Sequence, residues 1–204
     1  MQQKGFIFIP DISGFTNFVN NVELQHSRHV IKELLEVILE ANQMDLKVSE
    51  VEGDAILFYQ IGELPDLEIV YAQVERMFSL FHMHLLQYEK RRTCYCEACI
   101  SATNLSLKII SHYGEFTEYK IGSFTKLIGK DIIVAHQLLK NNITSHEYWL
   151  ISSNLSENKL PHIFKPWMQW EHGSKQINQG KVFFLFTQLT PLKKNDVFLK
   201  SEDK

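Results

Sequence analysis

Two aspartates, Asp11 and Asp54, are the residues whose setting most clearly indicates chemistry. Asp11 comes just after the apolar run 6–9, which predicts a buried strand, and Asp54 follows Gly53 at a bend between two further predicted strands. A carboxylate at such a place is partly desolvated and is stabilised by a cation. If the strands are neighbours, the aspartates converge and predict a Mg²⁺ or Mn²⁺ site. The alternative is that Asp11 caps a helix and Asp54 is a turn residue.

The residues that follow Asp11 are suited to an anion. Gly14 has no side chain, so that phosphate oxygens can approach its backbone, and Thr16 lies at the start of a predicted helix, whose amides donate to anions. A Mg²⁺ ion on carboxylates commonly takes nucleotide phosphates as its remaining ligands. The expected partner is therefore a ligand that carries phosphates, such as a nucleotide.

Three segments of the chain together resemble the class III nucleotidyl cyclases. They are FIPDISGFT from Phe8 to Thr16, VEGDAILF from Val51 to Phe58, and IGKDIIVA from Ile128 to Ala135. The first two look like the metal-binding segments of that family and the third looks like its glycine-and-helix motif. The segments occur in the family's order, and the resemblance covers about residues 5–150. The whole chain is similar to an uncharacterised bacterial group related to these cyclases.

The resemblance implies a head-to-tail homodimer in which aspartates of one subunit hold metal ions on the triphosphate. The metal ligands it implies are Asp11, Asp54 and the backbone carbonyl of Ile12, and the nucleotide-binding residues are Gly14, Phe15, Thr16, Glu50 and Lys126. Glu50 and Lys126 stand at the family's base-reading positions. The alternative is that these two side chains pair with each other across the dimer interface.

The predicted helix after Gly129 departs from the family pattern. Ile133 stands at the position of the family's asparagine, and Gln137 stands at the position of its arginine. Losing one electrostatic partner of a transition state costs roughly two to three orders of magnitude in rate. The sequence therefore predicts a cyclase-like protein that binds a divalent metal and a nucleoside triphosphate, with impaired catalysis. The alternative is an active cyclase that makes a 3′,5′-cyclic nucleotide with altered base-reading residues.

Cys94, Cys96 and Cys99 are the chain's three cysteines, and they fall within six residues. Their spacing is sufficient for three corners of a tetrahedral Zn²⁺ site, with His112 as the candidate fourth ligand. The alternative is that they are three small, buried residues at the start of a strand. The cyclase motifs do not include these thiols, so we expect the cluster to be separate from the aspartate site.

Apolar periodicity indicates the elements that must position these residues. Helical spacing predicts helices over 26–41, 65–85 and 131–140, and apolar runs predict strands that include 6–9, 96–110, 149–152 and 182–186. The predicted fold class is α+β, a ferredoxin-like antiparallel sheet with helices on one face, similar to class III cyclases, with an irregular C-terminal extension. We expect a cyclase-like domain over 1–153. The extension over 154–204 packs on it, with a final strand near 182–187 and a flexible end.

Composition excludes several other classes of protein. Of 204 residues, 45% are hydrophobic and 22% are charged, which is typical of a folded domain rather than a disordered chain. The net charge of -3 argues against nucleic acid as a partner. No apolar run approaches the roughly 20 residues of a membrane span, and the odd cysteine count does not suit a disulfide scaffold. We therefore expect a cytoplasmic protein with no membrane partner.

Overall fold

The computed structural model describes residues 3–20, 24–157, 165–178 and 180–194. Its strands are β1 (Gln3–Ser13), β2 (Lys47–Glu52), β3 (Ala55–Ile61), β4 (Ser106–Ile121), β5 (Phe124–Ile128), β6 (Tyr148–Ser152), β7 (Glu171–Ile177) and β8 (Gly180–Gln188). Its helices are α1 (Phe15–Asn20), α2 (Leu24–Glu40), α3 (Leu67–Arg91), α4 (Glu97–Ser101), α5 (Lys130–Leu139) and α6 (Ser153–Ser156). Among the described residues, no helix is both long and apolar enough to cross a membrane.

The eight strands form one sheet with β1 near its centre. The strand order is β2-β3-β1-β4-β6-β8-β7, and β5 pairs with the end of the long strand β4. Strand β1 runs antiparallel to both β3 and β4, whereas β4 and β6 are parallel. Long β1–β4 pairing therefore joins the first strand of the chain to a strand about a hundred residues later and fixes which side chains of the two strands are neighbours.

Helices cover both faces of the sheet, because β1 is apolar at successive positions and points alternate side chains to opposite faces. Phe6 and Phe8 pack in one core with α2 and α3, while Ile7 and Ile9 pack in a second core with α5. The predicted α+β fold is confirmed. The expectation that helices lie on one face needs correction, since α5 lies on the other.

The segment 97–104 is helical, so the long strand predicted over 96–110 is wrong in its first half. Helix α4 and a 3₁₀ turn (Ala102–Asn104) precede β4, which begins at Ser106. Ala98, Cys99 and Ala102 are all buried there. Their spacing of one, three and four residues is a helical one, and it buries a single face of this short segment.

The C-terminal segment extends the sheet with a hairpin. The final strand expected near 182–187 lies within β8, which pairs with β6 and β7. Strand β7 was not predicted, because its polar sequence around Gly173 carries no alternating apolar pattern. Pairing with β8 creates this strand, and the ring of Phe184 packs over Gly173 where a side chain would collide with it. The expected flexible end lies outside the described residues.

Candidate functional site

A cavity of about 550 Å³ opens where β1 ends and β2 turns into β3. Most of the residues that the sequence assigned to a metal or a nucleotide line this cavity: Asp11, Ile12, Asp54, Gly14, Phe15, Thr16 and Glu50. Gly14 has a φ of +89°, a left-handed conformation that favours glycine, and it links β1 directly to α1. The structure therefore brings together, in one chain, both aspartates and the segment expected to border the phosphates.

Asp11 and Asp54 converge through the pairing of β1 with β3. Asp11 lies opposite Ala55, and the Ile12 N–H donates to the carbonyl oxygen of Asp54 over 3.0 Å. Burial, and next the negative charge of Asp11, raise the pKa of the Asp54 carboxyl to about 6. Burial also raises the pKa of Asp11. The cavity thus has a concentration of negative charge at its base that is only partly neutralised.

Lys108 provides that partial neutralisation, and sequence reasoning did not identify it. Its position in β4 lies opposite Asp11 in β1, and its Nζ is 3.2 Å from Asp11 Oδ1. The ammonium group lowers the pKa of Asp11 and thereby opposes the effect of burial. The only signal in the sequence is the alternation of Lys108 with the apolar Leu107 and Ile109, which places Lys108 on the opposite face of a strand but does not identify its partner.

Glu50 and Lys126 form an ion pair within a single chain rather than across a dimer interface. Lys126 Nζ lies 2.5 Å from Glu50 Oε2, since β5 and β2 are close to each other beside the cavity. His136 of α5 lies on the other side, with its Nε2 3.4 Å from Glu50 Oε1. Both carboxylate oxygens of Glu50 therefore have a cationic or polar neighbour. Through Lys126 and His136, Glu50 connects β2 to both β5 and α5 at one wall of the cavity.

Ile133 and Gln137 lie one turn apart on α5. Gln137 lines the cavity, whereas Ile133 is half exposed and has no polar atom in its side chain. Helix α5 therefore carries the amide of Gln137 where the resemblance implies an arginine. It carries the apolar side chain of Ile133 where the resemblance implies an asparagine. Neither residue can supply a fixed positive charge.

The structure does not bring His112 to the cysteines. His112 is buried in β4, where its Nδ1 lies 2.7 Å from the Ser152 hydroxyl and its Nε2 lies 3.1 Å from Asp131 Oδ1. The expected fourth zinc ligand is thus engaged elsewhere by both ring nitrogens. The histidine beside the thiols is His26 of α2, which sequence reasoning missed because it precedes Cys94 by 68 residues.

The His112 contacts belong to a buried polar network that anchors α5 to β4. The second oxygen of Asp131, Oδ2, accepts a hydrogen bond of 2.7 Å from the Glu115 N–H. Burial opposes ionisation of Asp131, but the hydrogen bonds from His112 and Glu115 outweigh it and hold the pKa of Asp131 below its usual value. Gly114 permits this approach, since a side chain there would collide with the Asp131 carboxyl group.

Comparison of the sequence with known proteins finds a family model and a relative that match this chain. The sequence model of a family described as "Protein of unknown function (DUF2652)" matches residues 31–148. A relative, the uncharacterized protein Rv2561/Rv2562 of Mycobacterium tuberculosis (strain ATCC 25618 / H37Rv), is 30% identical over 125 residues. That match covers 61% of this chain and 58% of the relative, so the chain spans less than two thirds of the relative's length.

Solved structures with a similar fold are cyclase catalytic domains. A bacterial light-regulated adenylyl cyclase has a TM-score of 0.62 at 16% identity, covering 95% of this chain and 98% of the other. The catalytic core of a rhodopsin-guanylyl cyclase with converted specificity, in complex with ATPαS, has a TM-score of 0.59 at 16% identity, with coverages of 92% and 97%. The guanylate cyclase domain of RhGC from Catenaria anguillulae, in complex with GTP, has a TM-score of 0.58 at 17% identity. That match covers 92% of this chain and 98% of the other.

The identities to these cyclases are low, and the likeness therefore concerns the fold. The family match, by contrast, is a match of sequence over more than half of the 204 residues. The chain belongs to the family of proteins of unknown function DUF2652, and its fold is that of class III adenylyl and guanylyl cyclase catalytic domains.

Proposed function

We propose that this protein binds a divalent metal ion, Mg²⁺ or Mn²⁺, on Asp11 and Asp54, together with a nucleoside triphosphate, and forms little or no cyclic nucleotide. The observation that carries the proposal is the convergence of the two aspartates in one cavity with Gly14 and Thr16, beside a helix that carries Ile133 and Gln137. The two aspartates, with Gly14 and Thr16, suit a metal–phosphate complex. The helix α5 lacks the groups that stabilise charge during cyclisation.

The carboxylates at the base of the cavity suit a hard divalent cation. The two partly desolvated acidic groups are near enough for the charge of Asp11 to raise the pKa of Asp54, and the ammonium of Lys108 lies 3.2 Å from one oxygen of Asp11. Oxygen donors of this kind are the preferred ligands of Mg²⁺ and Mn²⁺. A bound cation would neutralise the remaining charge and favour ionisation of Asp54. Ile12, which also lines the cavity, would add its backbone carbonyl as a third oxygen ligand.

The triphosphate would occupy the part of the cavity next to α1. The metal ion would neutralise its charge and polarise the phosphate oxygens. Gly14 leaves room for these oxygens, and Thr16 provides a hydroxyl at the first turn of α1. Lys140, which lines the cavity near the end of α5, adds a positive charge. The similar cyclase structures in complex with ATPαS and with GTP support this choice of ligand class.

A homodimer is part of the proposal, because β4 and β5 form a hairpin with exposed apolar side chains. Ile121 and Phe124 flank the turn and are 58% and 70% exposed, and Ile128 at the other end of β5 is 58% exposed. Val48 and Val51 of the nearby strand β2 are also exposed. Apolar side chains concentrated on one projecting hairpin are typical of an interface between subunits. A head-to-tail dimer would place α5 of one subunit beside the cavity of its partner as well as beside the cavity that it lines in its own chain.

The test combines ligand binding with product formation. Purified protein is titrated with Mn²⁺ and then with each of the four nucleoside triphosphates, and Mn²⁺ binding is followed by electron paramagnetic resonance. We expect about one or two Mn²⁺ per chain, weakened about 100-fold by Asp11→Ala, and no product above background by liquid chromatography. Binding that is the same in wild type and Asp11→Ala would contradict the metal site. Rapid cyclic nucleotide formation, abolished by Asp11→Ala, would favour the alternative of an active cyclase.

Lys108→Met is expected to raise the affinity for Mn²⁺ about tenfold. The ammonium of Lys108 repels a divalent cation and occupies Asp11 Oδ1, so its removal frees this oxygen and lowers the local positive potential. Calorimetric titration of Mn²⁺ measures the change. Lys108→Arg keeps the charge and serves as the matched control, with an affinity close to that of the wild type. An unchanged affinity in Lys108→Met would show that Lys108 does not compete with the metal.

A further inference from the structure

Four sulfur- and nitrogen-bearing side chains meet at a second place, away from the aspartate cavity. They are His26 near the start of α2, Cys94 after the end of α3, and Cys96 and Cys99 at α4. Their ligand atoms all lie within 4.8 Å of one another. His26 Nδ1 is 3.0 Å from Cys96 Sγ, 3.4 Å from Cys94 Sγ and 3.7 Å from Cys99 Sγ. All three cysteines are free thiols, with no disulfide between them.

These separations match the edges of a metal tetrahedron. With Zn–S bonds of about 2.3 Å and Zn–N bonds of about 2.05 Å, tetrahedral geometry puts sulfur and nitrogen about 3.5 Å apart and two sulfurs about 3.8 Å apart. The three observed distances from His26 Nδ1 to sulfur lie between 3.0 and 3.7 Å. Only small side-chain adjustments would therefore place all four atoms around one ion.

The sulfurs are also surrounded by hydrogen-bond donors. The hydroxyl of Tyr88 donates to Cys99 Sγ over 3.1 Å, and the Cys96 N–H donates to Cys94 Sγ over 3.5 Å. Cys99 and Cys94 therefore each have a donor, besides His26, that can stabilise a thiolate and orient it. Such outer partners are characteristic of thiolate metal sites, and three small cysteines buried for packing alone would not need them.

We propose that His26, Cys94, Cys96 and Cys99 form a structural Zn²⁺ site that clamps the link between α3 and α4 onto α2. Three thiolates and one imidazole select zinc over the Mg²⁺ or Mn²⁺ expected at the carboxylates. The four protein ligands fill a tetrahedron, which is typical of structural rather than catalytic zinc.

The site joins segments that are otherwise distant in sequence. His26 and Cys94 are 68 residues apart, and α4 packs against α2 and leads into β4. Strand β4 carries Lys108 beside the aspartate cavity, so the zinc site would hold the connection that precedes a cavity-lining strand. Arg91 and Arg92 line a cavity of about 330 Å³ next to Cys94 and Cys99, and Arg91 pairs there with Glu33. The positive charge of Arg92 suits the net negative charge of a complex with three thiolates.

Metal analysis of the wild type is the direct test. The chain is produced without a histidine tag in zinc-supplemented medium and analysed by inductively coupled plasma mass spectrometry. We expect about one zinc per chain. Replacement by Co²⁺ should give the intense visible bands of a tetrahedral site together with thiolate-to-cobalt charge transfer. A strong chelator should lower the unfolding temperature by at least about 5 °C, because bound metal stabilises the folded state.

Variants assign the ligands. His26→Ala and Cys96→Ser should each reduce the zinc content to less than about a tenth of the wild-type value. His29→Ala is the matched control, since His29 lies one turn away on α2, lines the same cavity and pairs with Glu33 instead of the sulfurs. It should keep full zinc content. The Mn²⁺ affinity at Asp11 and Asp54 should be unchanged in every variant that remains folded, so this test is independent of the proposed function.

Two results would overturn the proposal. One is a reduced wild-type chain, folded by circular dichroism, that contains no zinc and gives no tetrahedral Co²⁺ spectrum. The other is an equal loss of zinc in His29→Ala and His26→Ala. Because the first measurement uses the wild type alone, the proposal can fail even if Cys96→Ser does not fold.

Discussion

The double variant Ile133→Asn/Gln137→Arg is expected to form cyclic nucleotide about 100-fold faster than the wild type in the presence of Mn²⁺. The resemblance to cyclases places an asparagine and an arginine at these two positions of α5, and Gln137 already lines the cavity. Restoring a guanidinium provides a fixed positive charge for the developing charge on the α-phosphate. A single group of this kind contributes roughly two to three orders of magnitude in rate, and groups that act together are not additive.

The matched control for this gain is Ile133→Ala/Gln137→Ala, which changes the same positions without adding the polar groups. It should remain at background in the same chromatographic assay. Mn²⁺ binding should be equal in both double variants, because neither position is a metal ligand in the proposal. If the Asn/Arg variant also stays at background while it binds Mn²⁺ and nucleotide normally, replacement of these two residues is not what limits catalysis.

A mixing experiment then tests the head-to-tail dimer. One chain carries Ile133→Asn/Gln137→Arg together with Asp11→Ala, and the other chain is the wild type. Each is inactive alone, since the first lacks a metal ligand and the second lacks the polar pair. If α5 acts on the partner's cavity, mixing restores activity to about a quarter to a half of that of the active double variant. No recovery in a mixture that exchanges subunits would indicate that α5 acts on its own chain.

Asp131→Ala is expected to lower the free energy of unfolding by about 3 kcal/mol. Asp131 is buried and accepts hydrogen bonds from His112 Nε2 at 3.1 Å and from the Glu115 N–H at 2.7 Å. Its removal leaves two donors without their acceptor in a closed interior and opens a small cavity between α5 and β4. Asp131→Asn keeps one acceptor oxygen, so it should lower the free energy of unfolding by less than Asp131→Ala does. Urea unfolding followed by circular dichroism measures both changes.

Lys130→Ala is the control for this loss, because Lys130 is adjacent in sequence and exposed, with a 3.6 Å surface contact to Glu115 and an effect on Asp131 through its charge but no hydrogen bond to it among the described residues. Its effect should be within about 0.5 kcal/mol of zero. Equal stabilities of Asp131→Ala and Lys130→Ala would contradict a structural role for the buried network. If Asp131→Ala does not fold at all, Asp131→Asn still provides the measurement.

The local pattern of the chain was sufficient to predict most of the elements near the cavity. The apolar run of β1, the bend at Gly53 and the helical spacing of α2 and α3 all depend on residues close in sequence, and each element is present in the structure. Helix α4 and strand β7 show where the local pattern fell short. The helical spacing of Ala98, Cys99 and Ala102 extends over too few residues to distinguish a helix from the start of a strand, and β7 exists because β8 provides its hydrogen-bonding partner.

The sequence by itself determined the types of group in this protein. It supplied two aspartates at strand ends, the Ile133 and Gln137 substitutions on α5, and three clustered thiols, because these features lie within short motifs. Only the tertiary structure decided their partners. The β1–β4 register puts Lys108 against Asp11, helix packing brings His26 rather than His112 to the thiols, and β5 brings Lys126 to Glu50. Such pairings join residues about 70 to 100 positions apart. They depend on strand register and helix packing, which no local pattern specifies.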